Sequence, residues 1–201
     1  MDEFPSLAGQ VLIAMPSIGD ARFERTVIYL CVHDEHGAMG IVVNRPAADK
    51  TVGDILHELG LMDCTETSDR PPLSDHQSAR LDARVLLGGP VEKTRGFVLH
   101  SPDVVERDGT VAVTDDVHLS VKMDVLRDIS LGNGPDRFLL ALGFANWGGG
   151  QLDQEILQNA WLAAPMGAQA LFETPPELHY AASLSNLGVD MNKLSPVAGR
   201  G

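Results

Sequence analysis

The sequence predicts an α+β fold, a mixed β-sheet with helices packed around it, in a single domain over residues 1–201. Apolar, β-branched runs of strand length come in groups, and the helical patterns between them are spaced irregularly rather than in a regular βαβ alternation. Glycines cluster where apolar runs end, at Gly88-Gly89 and Gly148-Gly149-Gly150, where a backbone turns sharply or approaches another group. The 201 residues are 44% hydrophobic and 21% charged, enough for a sizeable core and unlike a disordered chain. No internal repeat is evident.

Residues 10–14 form a short apolar strand that stops at Met15-Pro16. Residues 26–33 are apolar and β-branched nearly throughout, a strand covered on both faces. The turn at His36-Gly37 leads into a second strand, residues 39–43, so the two read as a hairpin. Thr51 and Asp54 have capping-box spacing, Val52, Ile55, Leu56 and Leu59 make a helical stripe, and Gly60 suits the position after the helix. Residues 62–83 are polar and aperiodic, a surface excursion.

Strands follow at residues 84–87, 96–100, 110–113 and 117–121. Val121, Val125, Leu126 and Ile129 mark a helix that ends before Gly132, and residues 137–144 are the most apolar strand of the second half. After the glycine triplet, Leu152, Ile156, Leu157, Ala160 and Trp161 line one face of a helix. Residues 168–172 read as a last strand. Thr174-Pro175-Pro176-Glu177 starts a helix that runs to about Leu187, and residues 195–201 form a loose tail.

The net charge is −13, from 28 acidic and 15 basic residues. This opposes a broad basic footprint for nucleic acid and attachment to an anionic membrane surface. The acidic start Met1-Asp2-Glu3 is not a secretory signal, and no stretch reads as a membrane span, so the expected location is the cytoplasm. Two cysteines are too few for a disulfide scaffold: Cys31 reads as a small buried group and Cys64 as an exposed thiol.

Several polar groups sit at strand ends, where ligands bind in many sheet proteins. Asn44-Arg45-Pro46 offers an amide and a guanidinium fork for an anion, or else a turn braced by local bonds. Gly88-Gly89-Pro90 either presents backbone N–H groups to an anion or makes a tight crossover, and the crossover is favoured. Lys-Ser/Thr does not follow it, so it is not a P-loop. Trp147 and Gln151 flank the glycines as walls of a cleft, although Asp153 and Glu155 in the first helical turn oppose a phosphate there. His100, at a strand end, reads either as a general base or as a hydrogen-bonding cap. His33-Asp34-Glu35-His36 looks like a metal cluster, but side chains in one turn diverge, so no metal and no cofactor is expected.

Three segments together carry a family resemblance. They are Gly37-Ala38-Met39-Gly40-Ile41-Val42-Val43-Asn44-Arg45-Pro46, then Gly88-Gly89-Pro90-Val91 with Gly96-Phe97-Val98-Leu99-His100, then Gly143-Phe144-Ala145-Asn146-Trp147-Gly148-Gly149-Gly150-Gln151-Leu152 with Glu155 and Trp161-Leu162. In order and spacing they resemble the signatures of the AlgH/YqgE family of bacterial proteins, over nearly the whole chain. The resemblance implies a cytosolic α+β protein of a family without an established biochemical activity, named for a proposed role in regulating alginate production. This chain has Tyr180 where the family often has Trp. It ends Gly199-Arg200-Gly201 where the family often has Gly-His-Ala, so no role of that histidine carries over.

The leading expectation is a non-enzymatic module that binds a small molecule or a protein partner, with a regulatory outcome. Its cleft would be lined by Asn44, Arg45, Gly89, His100, Asn146, Trp147 and Gln151. A hydrolase or transferase using His100 with Arg45 is the alternative. A transcriptional regulator ranks last, because the helix after the glycines carries Asp and Glu and no Lys or Arg.

Overall fold

A computed structural model describes residues 5–62, 75–104 and 108–189, and these build a curled, mostly antiparallel sheet with helices on both faces. The strands are β1 (Gln10–Ala14), β2 (Val27–Asp34), β3 (Gly37–Val42), β4 (Pro46–Thr51), β5 (Arg84–Leu87), β6 (Val91–His100), β7 (Thr110–Thr114), β8 (Val117–Ser120), β9 (Phe138–Gly148) and β10 (Trp161–Pro165). The helices are α1 (Val52–Glu58), α2 (Asp75–Leu81), α3 (Met123–Ser130), α4 (Gln151–Leu157), α5 (Ala168–Glu173) and α6 (His179–Asn186). The spine of the sheet runs β10-β1-β2-β3-β9-β6-β8-β7. β4 and β5 branch from it, with β5 parallel to β9 at Leu86 and Leu87. β9 is therefore the hub, pairing with β3, β5 and β6.

Side chains alternate between the faces of each strand. One face buries Val11, Ile13, Tyr29, Ile41, Leu99 and Ala141 against Leu171 of α5 and Tyr180 and Leu184 of α6. The opposite face carries two separate clusters. Leu12, Ile28, Leu30, Ala145 and Trp147 pack under Leu152 of α4. Val85, Val98 and Leu140 pack under Val52, Ile55 and Leu56 of α1, Leu81 of α2, and Val125, Leu126 and Ile129 of α3. On this outer face the two helical covers are separate, and a strip of sheet lies between them.

Gly143 makes that arrangement geometrically consistent. Leu140 and Leu142 belong to the outer face before it, and Ala145 and Trp147 after it, so the alternation of β9 slips by one residue. Gly143 has φ +79°, the left-handed region that a bulge exploits. The Gly88-Gly89 turn crosses over this point. A Cβ on Gly88 would collide with the Gly143 carbonyl, and one on Gly89 with the Phe144 backbone. Gly88 N–H donates to Leu142 O at 2.8 Å and Gly88 O accepts from Val42 N–H at 2.8 Å, so the turn also ties β3 to β9.

Several elements depart from the sequence-based expectation. Residues 168–172 form helix α5, not a strand: Ala168, Leu171 and Phe172 meet the core at helical spacing. Trp161 does not lie on the α4 stripe. The helix ends at Leu157, Asn159 takes φ +57°, and Trp161 opens β10 opposite Ala14. β4 was not anticipated, because Pro46-Ala47-Ala48-Asp49-Lys50-Thr51 lacks apolar alternation, and pairing with β5 decides it. Within the expected excursion at 62–83, residues 75–81 form α2, packed through Leu81, while residues 63–74 lie outside the described residues, as do Cys64 and the tail at 195–201. β9 continues past Phe144 to Gly148, and β6 begins at Val91 rather than Gly96. The helix expected from Thr174 begins as a 3-10 turn at Pro176–Leu178 and becomes α6 at His179, without a side-chain cap from Thr174. The Thr51 capping box is present: Thr51 N–H donates to Asp54 Oδ2 at 2.8 Å and Asp54 N–H to Thr51 Oγ1 at 3.2 Å.

The two kinds of glycine separate by mutation. Gly88→Ala places a methyl against backbone and is expected to cost about 2–4 kcal/mol. Gly150→Ala, at φ +70° with nothing within 4 Å, costs only about 1–2 kcal/mol for its left-handed backbone. Urea unfolding of both variants measures the difference, and equal costs would refute the close-crossing account.

Candidate functional site

The strip between the helical covers is an open cleft with a floor of Val42, Leu87 and Leu142 and walls that include Arg22, Phe23, Arg45, Gly89, Pro90 and Lys93. It shares Leu87, Lys93 and Leu142 with a second, larger lobe beside α1 and α3. Leu87 is 51% exposed, although it sits at the centre of this floor.

Asn44-Arg45 builds one wall. Asn44 Oδ1 accepts from Val27 N–H at 2.8 Å, and its Nδ2 donates to Arg25 O at 2.8 Å. The Arg45 guanidinium donates to Arg22 O and to Glu24 O, the latter at 2.8 Å. Together these bonds fold the 22–25 segment so that Arg22 and Phe23 face the cleft. Among the described residues Arg45 has carbonyl partners and no carboxylate, so its charge is not neutralised by an ion pair. Lys93 has no ion-pair partner among the described residues, whereas Arg22 pairs with Asp20 at 2.7 Å.

Trp147 lies behind this wall. It is buried in β9, and its indole Nε1 donates to Glu155 Oε2 at 3.0 Å. Trp161 Nε1 donates to the same oxygen at 2.7 Å, and Gln151 Nε2 donates to Oε1 at 2.9 Å. Gln151 Oε1 accepts from Gly148 N–H at 3.0 Å. The two indoles meet edge to face at 5.8 Å, and Phe23 meets Trp161 at 5.6 Å. The tryptophan cluster thus supports Phe23, which in turn faces the cleft. Asn146 points to solvent from the strand.

His100 is 1% exposed at the far end of β9, paired with Phe138. That is nine residues along the strand from Trp147, roughly 30 Å at the rise of an extended chain. Its Nδ1 lies 2.8 Å from Ser101 O, which can only accept, so Nδ1 carries the proton. Nε2 then accepts from the Ser120 hydroxyl at 2.9 Å, and Ser120 accepts from Thr110 Oγ1 at 2.7 Å. Burial lowers the His100 pKa below the ordinary histidine value, and it lowers that of His179 too.

Of the seven residues expected to share one hollow, Arg45 and Gly89 line this cleft, Asn44 braces its wall, and Trp147 and Gln151 stand behind it. Asn146 and His100 lie away from it. The sequence reading missed Arg22, Phe23, Leu87 and Lys93. Only an exposed leucine at a strand end and a lone lysine after Gly-Gly-Pro marked them, and neither is a motif. His33 and His36 diverge as their turn suggests: His33 is buried and its Nδ1 accepts from Leu7 N–H at 3.1 Å, while His36 is exposed. Among the described residues no helix is long and apolar enough to cross a membrane.

A family model described as AlgH-like matches residues 11–192. A UPF0301 protein of Rhodospirillum rubrum is 46% identical over 193 residues, covering 96% of this chain and 93% of its own. A UPF0301 protein of a Marinomonas species is 42% identical over 198 residues, covering 98% of each. The solution structure of the AlgH protein from Pseudomonas aeruginosa superposes with a TM-score of 0.73 at 37% identity, covering 100% of both chains. A crystal structure of a Corynebacterium diphtheriae protein shares the fold, with a TM-score of 0.61 at 21% identity over 85% of this chain and 81% of that one.

Two outcomes test this construction. Glu155→Ala leaves two buried indole N–H groups without their acceptor and is expected to cost about 1–3 kcal/mol, with a shift in tryptophan emission. Glu155→Gln keeps an acceptor and costs less, and equal costs would remove the carboxylate clamp. For His100 and His179 the folded pKa lies below the unfolded value of about 6.5, so the unfolded chain binds more protons there. Stability therefore falls as pH drops below about 6.5, by at most about 1.4 kcal/mol per pH unit per histidine. Chemical denaturation between pH 7 and 5.5 should show this slope, and His100→Asn should reduce it.

Proposed function

The chain belongs to the AlgH-like family, and from that premise we propose that it is a binding module that holds an anionic ligand in the outer-face cleft, with a regulatory outcome. The observation that carries this reading is electrostatic. On a chain of net charge −13, Arg22, Arg45 and Lys93 converge on one cleft whose smaller lobe, among the described residues, is lined by no carboxylate. Cations kept together against such a background mark an anion site.

The same lining favours binding over catalysis. Among the described residues the smaller lobe presents arginine, lysine and apolar groups, with no histidine, serine, cysteine or carboxylate to act as nucleophile or general base. A hydrolase or transferase using His100 with Arg45 would need one substrate atom within reach of both. The buried ring of His100, bonded to Ser101 and Ser120, gives that reading no support. Direct reading of DNA through α4 draws none either, since its Asp153 and Glu155 stand without a Lys or Arg.

Isothermal titration against a panel of small phosphates and carboxylates is expected to find salt-dependent binding at one site. Lys93→Ala, at an exposed position, should weaken it roughly tenfold or more while stability is unchanged. Arg45→Ala should weaken it further and loosen the 22–25 segment. Failure of every anion to bind, or binding indifferent to Lys93 and Arg45, would end this proposal.

A further inference from the structure

We infer that the occupant of the two-lobed cleft is a single amphiphile: an unbranched alkyl or acyl chain that ends in a phosphate or carboxylate. This rests on the anion-binding reading of the same cleft and specifies what the anion is attached to.

The larger lobe is an uncovered continuation of the sheet face. Its floor is Leu87, Gly96, Val98 and Leu142, and its sides are the C-terminal end of α1, with Ile55 and Leu59, and the start of α3, with Met123 and Leu126. Leu59, Leu87 and Met123 are each more than two-fifths exposed although they face one shared hollow. Large apolar groups scattered singly need no explanation, but a contiguous set rimmed by cations does. The rim carries Lys50, Arg95 and Lys122 around the larger lobe, continuing through Lys93 to Arg22 and Arg45 around the smaller. Lys50 and Arg95 are already paired with Glu58 and Glu92. Lys122 shares a neighbouring hollow with Asp108, Asp124 and Asp128, whereas Arg45 and Lys93, without a carboxylate partner among the described residues, both line the smaller lobe. The charge distribution thus has a polarity: an apolar trough that leads to a cationic end.

This polarity suits an alkyl chain better than an extended peptide. A peptide laid along the trough needs partners for its amides. The nearby strands offer few in regular array. β5 is paired on one side to β4 and on the other to β9, and Leu87 N–H and Gly88 N–H are bonded to Arg45 O and Leu142 O. β6 pairs with β8 only over Val98, Leu99 and His100, and its stretch beside the trough bulges out of register with β9 between Val91 and Gly96, so the edge it presents is irregular rather than a straight template. An alkyl chain has no amides to satisfy, and its transfer from water onto this floor is favourable methylene by methylene.

The test varies chain and head independently. Butyl, hexyl, octyl and dodecyl phosphate, laurate, dodecanol and inorganic phosphate are titrated into the full chain below their micellar concentrations. Dodecyl phosphate and laurate should bind at one site, with affinity rising up to about fourfold per methylene along the phosphate series. Dodecanol should bind at least tenfold more weakly than dodecyl phosphate. Met123→Ser, at an exposed side chain that lines only the larger lobe, should flatten the chain-length series by weakening dodecyl phosphate far more than butyl phosphate, and Lys93→Glu should remove the preference for the anionic head. If butyl and dodecyl phosphate bind equally well, the amphiphile inference fails while the anion cleft stands. If no anion binds, both fail. Binding only to anionic vesicles, to nucleic acid or to an acidic peptide, with none to monomeric alkyl phosphates, would also overturn it.

Discussion

The steric crossing of Gly88-Gly89 over Gly143-Phe144 is the constraint on which the rest of this molecule depends. Backbone passes over backbone there with no room for a Cβ on either glycine of the turn. The contact locks β5 to β9, fixes where β6 begins, and sits at the residue where the alternation of β9 slips. Without that slip, Trp147 would turn to the face that holds Tyr29 and Leu99, and the outer face would lose the anchor of α4. One glycine contact therefore sets both the topology and the separation of the two helical covers. The cleft is what that separation leaves open.

The walls of the cleft are held by polar bonds that terminate in the protein itself. Glu155 accepts from both indoles and from Gln151, which also receives the Gly148 N–H. That network spends the polar capacity of the glycine-rich segment on structure, so the segment that looks most like a ligand loop is braced from within. Asn44 acts similarly toward the 25–27 backbone. Arg45 differs: its partners are neutral carbonyls, which orient the guanidinium without cancelling its charge. A side chain fixed in place with its charge intact is preorganised for an anion, because little entropy remains to be lost on binding.

The sequence made the sheet, the α1 capping box and the inner-face strands legible, because each is written in local pattern: alternation, caps and β-branched runs. It failed where pairing between distant segments decided the outcome. Nothing in Pro46-Ala47-Ala48-Asp49-Lys50-Thr51 reads as a strand until β5 lies beside it. Trp161 satisfies a helical stripe on paper, yet the edge of β1 captures it after Asn159 reverses the chain. For 168–172 the apolar density marks a buried element, but Ala168, Leu171 and Phe172 follow a helical period rather than the alternation of a strand. The candidate site divided in the same way. Arg45 and Gly89 stand out in the sequence as unusual residues at strand ends, and both line the cleft. Arg22, Phe23, Leu87 and Lys93 carry no motif, and only the fold brings them to one place. His100 illustrates the converse, a residue with catalytic chemistry whose bonds are spent in a buried chain with Ser120 and Thr110.

The overall charge limits what such a cleft can hold. At distances beyond the Debye length, about 8 Å at physiological salt, a protein of charge −13 offers a small anion little attraction. The cations of the cleft act only at close range, where Asp20, Glu58 and Glu92 already neutralise three of them. An exposed ion pair in water contributes little by itself. An apolar body attached to the anion changes this balance in two ways. It adds a driving force that net charge does not oppose, and by covering Leu87 and Leu142 it displaces water from beside Arg45 and Lys93, which strengthens their attraction for the head group. A bare anion obtains neither effect. The physical logic of a cationic end on an apolar trough, within an acidic protein, therefore favours a ligand that carries both kinds of surface.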